Sequence, residues 1–253
     1  MAYALGEAKQ GPLRVGFNRR LKLEFHGSRI TSDAGLLAYR ELDGALGLTE
    51  MGGSILTEAR RGKNIRHLIE GLFRQSVFGR LAGYEDVNDA ERLSIDPAMR
   101  AIVDPRGLDR AAASTSEMGR FETNWLARDE NFAALVDLPG AWIDRVRDHR
   151  PPKLIVLDMD SSESPTYGNQ EGSAYNGHFG CTCYHPLFVF NQFGDVERCA
   201  LRPGNVHSAH AWRDVLEPVV ARYRDKAFRR YFRGDAAFAS PEVYEFLEAE
   251  GFK

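Results

Sequence analysis

The sequence predicts an α+β protein, with a helical N-terminal region over residues 1–150 and a mixed β-sheet with flanking helices over 151–253. Three observations carry that expectation. Apolar residues recur at helical spacing through most of the first 150 positions. After Pro151-Pro152 the texture changes to an apolar run, Leu154 to Leu157, that ends in Asp158 and Asp160. A β-prone run from Phe179 to Phe190 then meets a turn over 192–195 and a second apolar stretch, as a hairpin does. The 253 residues suffice for two compact domains, and 43% apolar with 27% charged residues is the composition of a globular chain with a core.

The first residues are basic and irregular, with Arg14, Arg19, Arg20, Lys22 and Arg29 and a short strand expected around Leu21, Leu23 and Phe25. Ser32-Asp33 predicts a helix start, and Leu36, Leu37, Tyr39, Leu42 and Leu46 follow at helical spacing as far as Gly47. Gly52-Gly53 is expected to break the chain. A second, more apolar helix runs from Ile65 through Leu68, Leu72, Phe73 and Phe78, all expected in the core. Asp96-Pro97 predicts a capped short helix to Val103. Helices over 117–127 and 129–149 complete the region, the second interrupted at Pro139-Gly140.

Leu154 to Leu157 predicts a short, fully buried strand. Val196 to Leu201 pairs antiparallel with the run before it, so the sheet is mixed. A helix over 207–223, a strand over 228–232 leading into Arg233-Gly234-Asp235, and a last helix capped by Ser240-Pro241 follow.

The net charge of -3 gives no global signal for a polyanion partner, although local clusters such as Arg60, Arg61, Lys63 and Arg66 could meet phosphates. Cys181, Cys183 and Cys199 form no disulfide framework, the N-terminus lacks the apolar core of a signal peptide, and no apolar run is long enough to span a bilayer. A cytoplasmic protein without membrane contact is expected. Cys181, Cys183 and His185 alternate along one strand, but a structural zinc takes four ligands and only Cys199 remains to offer one. Small buried thiols are expected instead.

Strand alternation puts Asp158 and Asp160 on one face. Two neighbouring carboxylates share a proton or hold a divalent ion, or else one caps the next turn and the other is solvated. The order strand, strand, strand, helix, strand is the layout of the ribonuclease H-like fold, in which the first and fourth strands are neighbours and Asp160 would meet Asp235.

The chain also resembles the DDE transposases of bacterial insertion sequences that carry a helical region before a ribonuclease H-like core. The resemblance rests on Gly83-Tyr84-Glu85-Asp86-Val87-Asn88-Asp89 with Asp96-Pro97-Ala98, on Leu157 to Ser162, and on Gly168-Asn169-Gln170-Glu171-Gly172 with Tyr175-Asn176-Gly177-His178. It continues through Cys183-Tyr184-His185-Pro186-Leu187, Leu201 to Ser208, and Arg233-Gly234-Asp235 before Phe238. The resemblance implies Asp160 and Asp235 as catalytic metal ligands, with Asp158 as a companion. It implies two Mg²⁺ or Mn²⁺ ions in the complete site, phosphodiester hydrolysis and strand transfer at element ends, and DNA partners in the terminal repeats and the target. Arg202, Arg233 and His207 are expected at DNA, and a homo-oligomer is expected of the complete protein. The family's third acid, a Glu on a later helix, has no counterpart before Lys253, so a C-terminally truncated chain with an incomplete ribonuclease H-like sheet is expected.

Two other readings stay open. The chain could be a catalytically dead DNA-binding or regulatory remnant. A strand followed by Asp-x-Asp also opens haloacid dehalogenase-type phosphatases, where Asp158 would be the nucleophile and Asp160 the general acid. That fold needs a parallel sheet and a second Asp where Ala239 stands.

Overall fold

The computed structural model describes residues 13–23, 33–58, 60–61, 65–104, 110–226 and 229–253. Phe25, Arg29, Ser32, Lys63 and Phe228, all used above, lie outside the described residues. The chain divides into two compact units, Met1–Ala134 and Leu135–Lys253.

Among its described residues the first unit has a two-stranded antiparallel ladder, β1 (Leu13–Arg14) with β2 (Lys22–Leu23), followed by helices. α1 (Leu36–Leu46) buries Leu36 and Arg40, whereas Tyr39 and Leu42 are both 52% exposed, contrary to the apolar stripe expected there. Arg40 occupies the inner position because its Nε donates to the Ile102 carbonyl at 3.2 Å and its Nη1 pairs with Asp43. Gly47 closes the helix in the left-handed conformation that glycine adopts without strain.

The expected break at Gly52-Gly53 is absent. α2 (Leu48–Ile55) runs through both glycines, and a Cβ at Gly52 would overlap the Phe73 ring while one at Gly53 would overlap Glu70. The glycines let α2 approach α3 (Ile69–Leu81) closely. Leu72, Phe73 and Phe78 of α3 are buried as expected, but Leu68 precedes the helix and is 69% exposed. α4 (Ala90–Ile95) and α5 (Pro97–Val103) follow, with the Asp96 carboxylate accepting from the Met99 N–H at 2.8 Å and Pro97 at the first helical position. α6 (Thr115–Arg120) continues as a π-helical turn, Phe121–Leu126, before α7 (Asp129–Asp148), inside which the two units divide.

In the second unit α7 passes through Pro139 without the expected interruption, with Leu138 and Ile143 buried on either side. Gly140 serves close approach, since a Cβ there would overlap the Arg222 guanidinium. A four-stranded sheet has the order β8 (Val196–Ala200), β7 (Leu187–Asn191), β3 (Leu154–Ser161), β9 (Arg229–Gly234). β3 is antiparallel to β7 and parallel to β9, the mixed arrangement and strand neighbours expected of a ribonuclease H-like layout. β4 (Ser164–Pro165), β6 (Cys181–Tyr184) and β5 (Ala174–Asn176) form a separate sheet in that order. The single run expected from Phe179 to Phe190 is therefore two strands, parted at His185-Pro186, where proline withdraws a ladder donor.

β3 is buried on one face only. Ile155, Leu157 and Met159 are at most 1% exposed and pack against α8 (Trp212–Tyr223) and α9 (Pro241–Ala249) through Leu216, Val219, Val243 and Leu247. Leu154 and Val156 are half-buried, so the fully buried strand of the sequence reading gives way to one whose second face carries the aspartates. The architecture is α+β.

Candidate metal centre

The parallel ladder between β3 and β9 builds the site. Its last two pairs are Asp158 with Arg233 and Met159 with Gly234, so Asp160 and Asp235 are the next residues on neighbouring strands. Both are exposed. Asp160 Oδ1 accepts from the Ser161 N–H at 2.8 Å, and Asp235 Oδ1 accepts from the Ala237 N–H at 2.9 Å as it caps a short 3₁₀ turn, Ala236–Phe238. Each carboxylate is thus oriented by one backbone donor. Among the described residues neither pairs with a cation within 4 Å.

Asp158 has a different environment. Arg233 donates to its Oδ2 through Nε at 2.9 Å and also through Nη2. The hydrogen bond and the carboxylate charge raise the Arg233 pKa. Asp158 Oδ2 is therefore held by a guanidinium, whereas Asp160 and Asp235 meet no cation and keep oxygens available to solvent or a ligand. Hard carboxylate oxygens of this kind suit Mg²⁺ or Mn²⁺ rather than a thiophilic ion. The described residues gather no group of three or more His, Cys, Asp or Glu that could hold a metal, and the ends of the two strands offer two carboxylates.

Phe190 sits beside Asp158 and Phe188 beside Asp160 across the antiparallel ladder, and the two rings stack at 5.6 Å. Cross-strand neighbours share a face, so the carboxylates lie next to an aromatic wall. From sequence Phe190 stands out only as the end of a β-prone run and Phe188 not at all, although aliphatic and aromatic residues alternate from Leu187 to Phe190.

The remaining expected residues lie elsewhere. Arg202 is 5% exposed, and its guanidinium is occupied by the carbonyl oxygens of His185, Ser208 and His210. His207 is exposed in the loop after β8, where its Nδ1 accepts from the Ala209 N–H at 3.1 Å. All three cysteines are free. Cys183 is buried and its pKa raised by that burial, Cys181 is half-buried, and Cys199 is exposed rather than packed away as expected.

Among the described residues no helix is long and apolar enough to cross a membrane. No curated protein matches the chain. A solved structure described as a pre-cleavage Mos1 transpososome aligns with it at 12% identity and a TM-score of 0.26, over 90% of this chain and 68% of the other. The family model for transposase DDE domain group 1 matches residues 13–253, and the chain belongs to that family.

Proposed function

We infer that the chain is the DDE portion of an insertion-sequence transposase, which cuts phosphodiester bonds at the ends of a mobile element and joins the freed 3′-hydroxyl to target DNA. The observation that carries this reading is the parallel pairing of β3 with β9, which brings Asp160 and Asp235 to neighbouring strand ends. Asp160 and Asp235 would hold the divalent ion, Mg²⁺ or Mn²⁺. When bound there, the ion supplies activation of a water or 3′-hydroxyl and stabilisation of the leaving oxygen.

The chain's own groups have separable roles in this reading. Arg233 is the phosphate contact, because it is 70% exposed in its side chain and stands one residue before Asp235. Asp158 positions it through two hydrogen bonds, and so acts on the guanidinium rather than as a ligand. The helical N-terminal region meets the element's terminal repeats, and a second copy of the chain completes the assembly. The mixed sheet and the Asp158–Arg233 pair speak against the phosphatase reading, which needs a parallel sheet and a free nucleophile at Asp158.

The test is nicking of supercoiled plasmid in Mg²⁺ or Mn²⁺. Asp160→Ala and Asp235→Ala should each abolish metal-dependent nicking, whereas Asp158→Ala should weaken DNA binding more than turnover. Nicking that persists unchanged in Asp160→Ala overturns the site. Salt-sensitive DNA binding without metal-dependent nicking in the wild type would instead select the binding-only reading.

A further inference from the structure

α3 begins without a side-chain cap. Leu68 stands at its N-cap, and the first helical bond runs from the Leu72 N–H to the Leu68 carbonyl at 3.1 Å. The N–H groups of Ile69, Glu70 and Gly71 therefore have no acceptor within the helix, whose dipole adds partial positive charge at this end. Leu68, Glu70 and Gly71 form part of the wall of a cleft of about 380 Å³ in the first unit. Gly71 carries no side chain to cover the backbone there.

Four arginines, Arg40, Arg66, Arg74 and Arg110, line the same cleft, and Glu70 and Asp104 are the acids among its described lining residues. Arg74 belongs to the fold, since it is 5% exposed and its guanidinium is committed to Thr49, the Val103 carbonyl and Glu70. Arg40 is only partly committed. It is 8% exposed and uses Nε on the Ile102 carbonyl and Nη1 on Asp43, while Nη2 makes no hydrogen bond among the described residues and is not sealed from solvent. Burial and the Arg74 charge lower the Arg40 pKa, against the pull of Asp43 and Glu70, so an anion in the cleft would relieve the repulsion between the two guanidiniums. Arg66 and Arg110 are exposed, and among the described residues their side chains make no hydrogen bond or ion pair.

Donors from three side chains and a helix end call for a ligand with several acceptor oxygens and more than one negative charge. A carboxylate and a phosphodiester each offer two such oxygens and a single charge, whereas a terminal phosphate offers three oxygens and a charge of about −2 above neutral pH. We propose that this cleft binds a phosphate monoester, held by Arg40 Nη2, Arg66, Arg110 and the first N–H groups of α3. Such a group terminates a free nucleotide and also the 5′ end of a DNA strand. The proposal is independent of the carboxylates of the second unit.

Binding to the full chain is measured in EDTA, so that no metal joins phosphate to Asp160 or Asp235. One arm compares deoxyadenosine 5′-monophosphate with deoxyadenosine by calorimetry. The other compares a 3′-labelled DNA hexanucleotide bearing a 5′-phosphate with the same strand ending in a 5′-hydroxyl, by fluorescence anisotropy. The phosphorylated member should bind at least about tenfold tighter in one arm or both, the effect of charge-assisted hydrogen bonds. Preference in the mononucleotide arm alone identifies a free nucleotide as the source, preference in the hexanucleotide arm alone identifies a strand end, and preference in both shows that the cleft accepts either. No preference in either arm overturns the proposal. Arg66→Glu with Arg110→Glu, at exposed positions, should erase the preference, and a preference that survives in the folded double variant also overturns it. Arg92→Glu with Arg120→Glu makes the same change of charge at exposed positions that do not line the cleft and should retain the preference. Equal loss in both double variants would mark a diffuse effect of charge and overturn the site. Asp160→Ala should lose nicking yet keep the preference, so the cleft and the catalytic reading can fail separately.

Discussion

The second unit contains two groups of acidic residues that the same sheet treats in opposite ways. Glu197 on β8 is 1% exposed and accepts from Asn191 at 2.7 Å, Arg222 at 2.8 Å and Tyr223 at 2.7 Å. Arg222 also binds Asp144 of α7 through two hydrogen bonds of 3.1 Å, and Lys226 donates to the same carboxylate. At the end of β3 and β9, by contrast, Asp160 and Asp235 are exposed and each receives one backbone N–H. A buried carboxylate persists only with enough donors to replace water. An exposed pair without such donors is open to a cation. The difference separates acids that hold the fold from acids available for chemistry.

Breaking the buried group should have the largest effect. Glu197→Ala takes a buried acceptor from Asn191, Arg222 and the Tyr223 hydroxyl, of which Arg222 keeps Asp144, and should lower stability by about 2–3 kcal/mol, read as a shift of the urea midpoint at unchanged slope. A loss under about 1 kcal/mol would show that water replaces the carboxylate and that the network is less closed than its burial indicates. Asp144→Asn removes one charge from a pair about a third exposed and should cost about 1–2 kcal/mol after allowance for screening.

The same carboxyl gives a pH signature. Burial pushes the Asp144 pKa up, but hydrogen bonds from Arg222 and Lys226 outweigh it and hold it below the ordinary 3.8. A depressed pKa means that the unfolded chain binds the proton first. The contribution is full above the ordinary value and fades as pH falls from there through the lower folded one. Urea midpoints measured from pH 6 downward should therefore converge for wild type and Asp144→Asn, and midpoints that stay equally separated at the lowest pH would contradict the assignment.

How much of this was legible depends on range along the chain. Asp96-Pro97 and Ser240-Pro241 name their helices because a cap and its N–H partner lie within three residues. The neighbourhood of Asp160 and Asp235 was legible from strand order alone. Gly52, Gly53 and Gly140 were misread as breaks because their role is to admit Phe73, Glu70 and Arg222 from other helices, and no local pattern states that. Arg40 resembles a surface residue in sequence, and its burial depends on the Ile102 carbonyl 62 residues away. Glu197 was passed over for the same reason. Its donors come from the far side of the hairpin and from α8.

The smallest effect on stability, and the sharpest test of the comparison, belongs to the exposed pair. Asp160→Asn and Asp235→Asn each keep the shape of the side chain and an oxygen for the backbone N–H, while removing one of two like charges. Without metal, neither should lower the thermal midpoint. Millimolar Mg²⁺ or Mn²⁺ should raise the wild-type midpoint, because an ion that binds only the folded state stabilises it by mass action, and the rise should vanish in both variants. Asp144→Asn should retain it, since Arg222 and Lys226 already satisfy that acid. A metal-dependent rise that survives in both Asp160→Asn and Asp235→Asn would put the ion elsewhere, and exposure would then no longer distinguish the acids of chemistry from those of the fold.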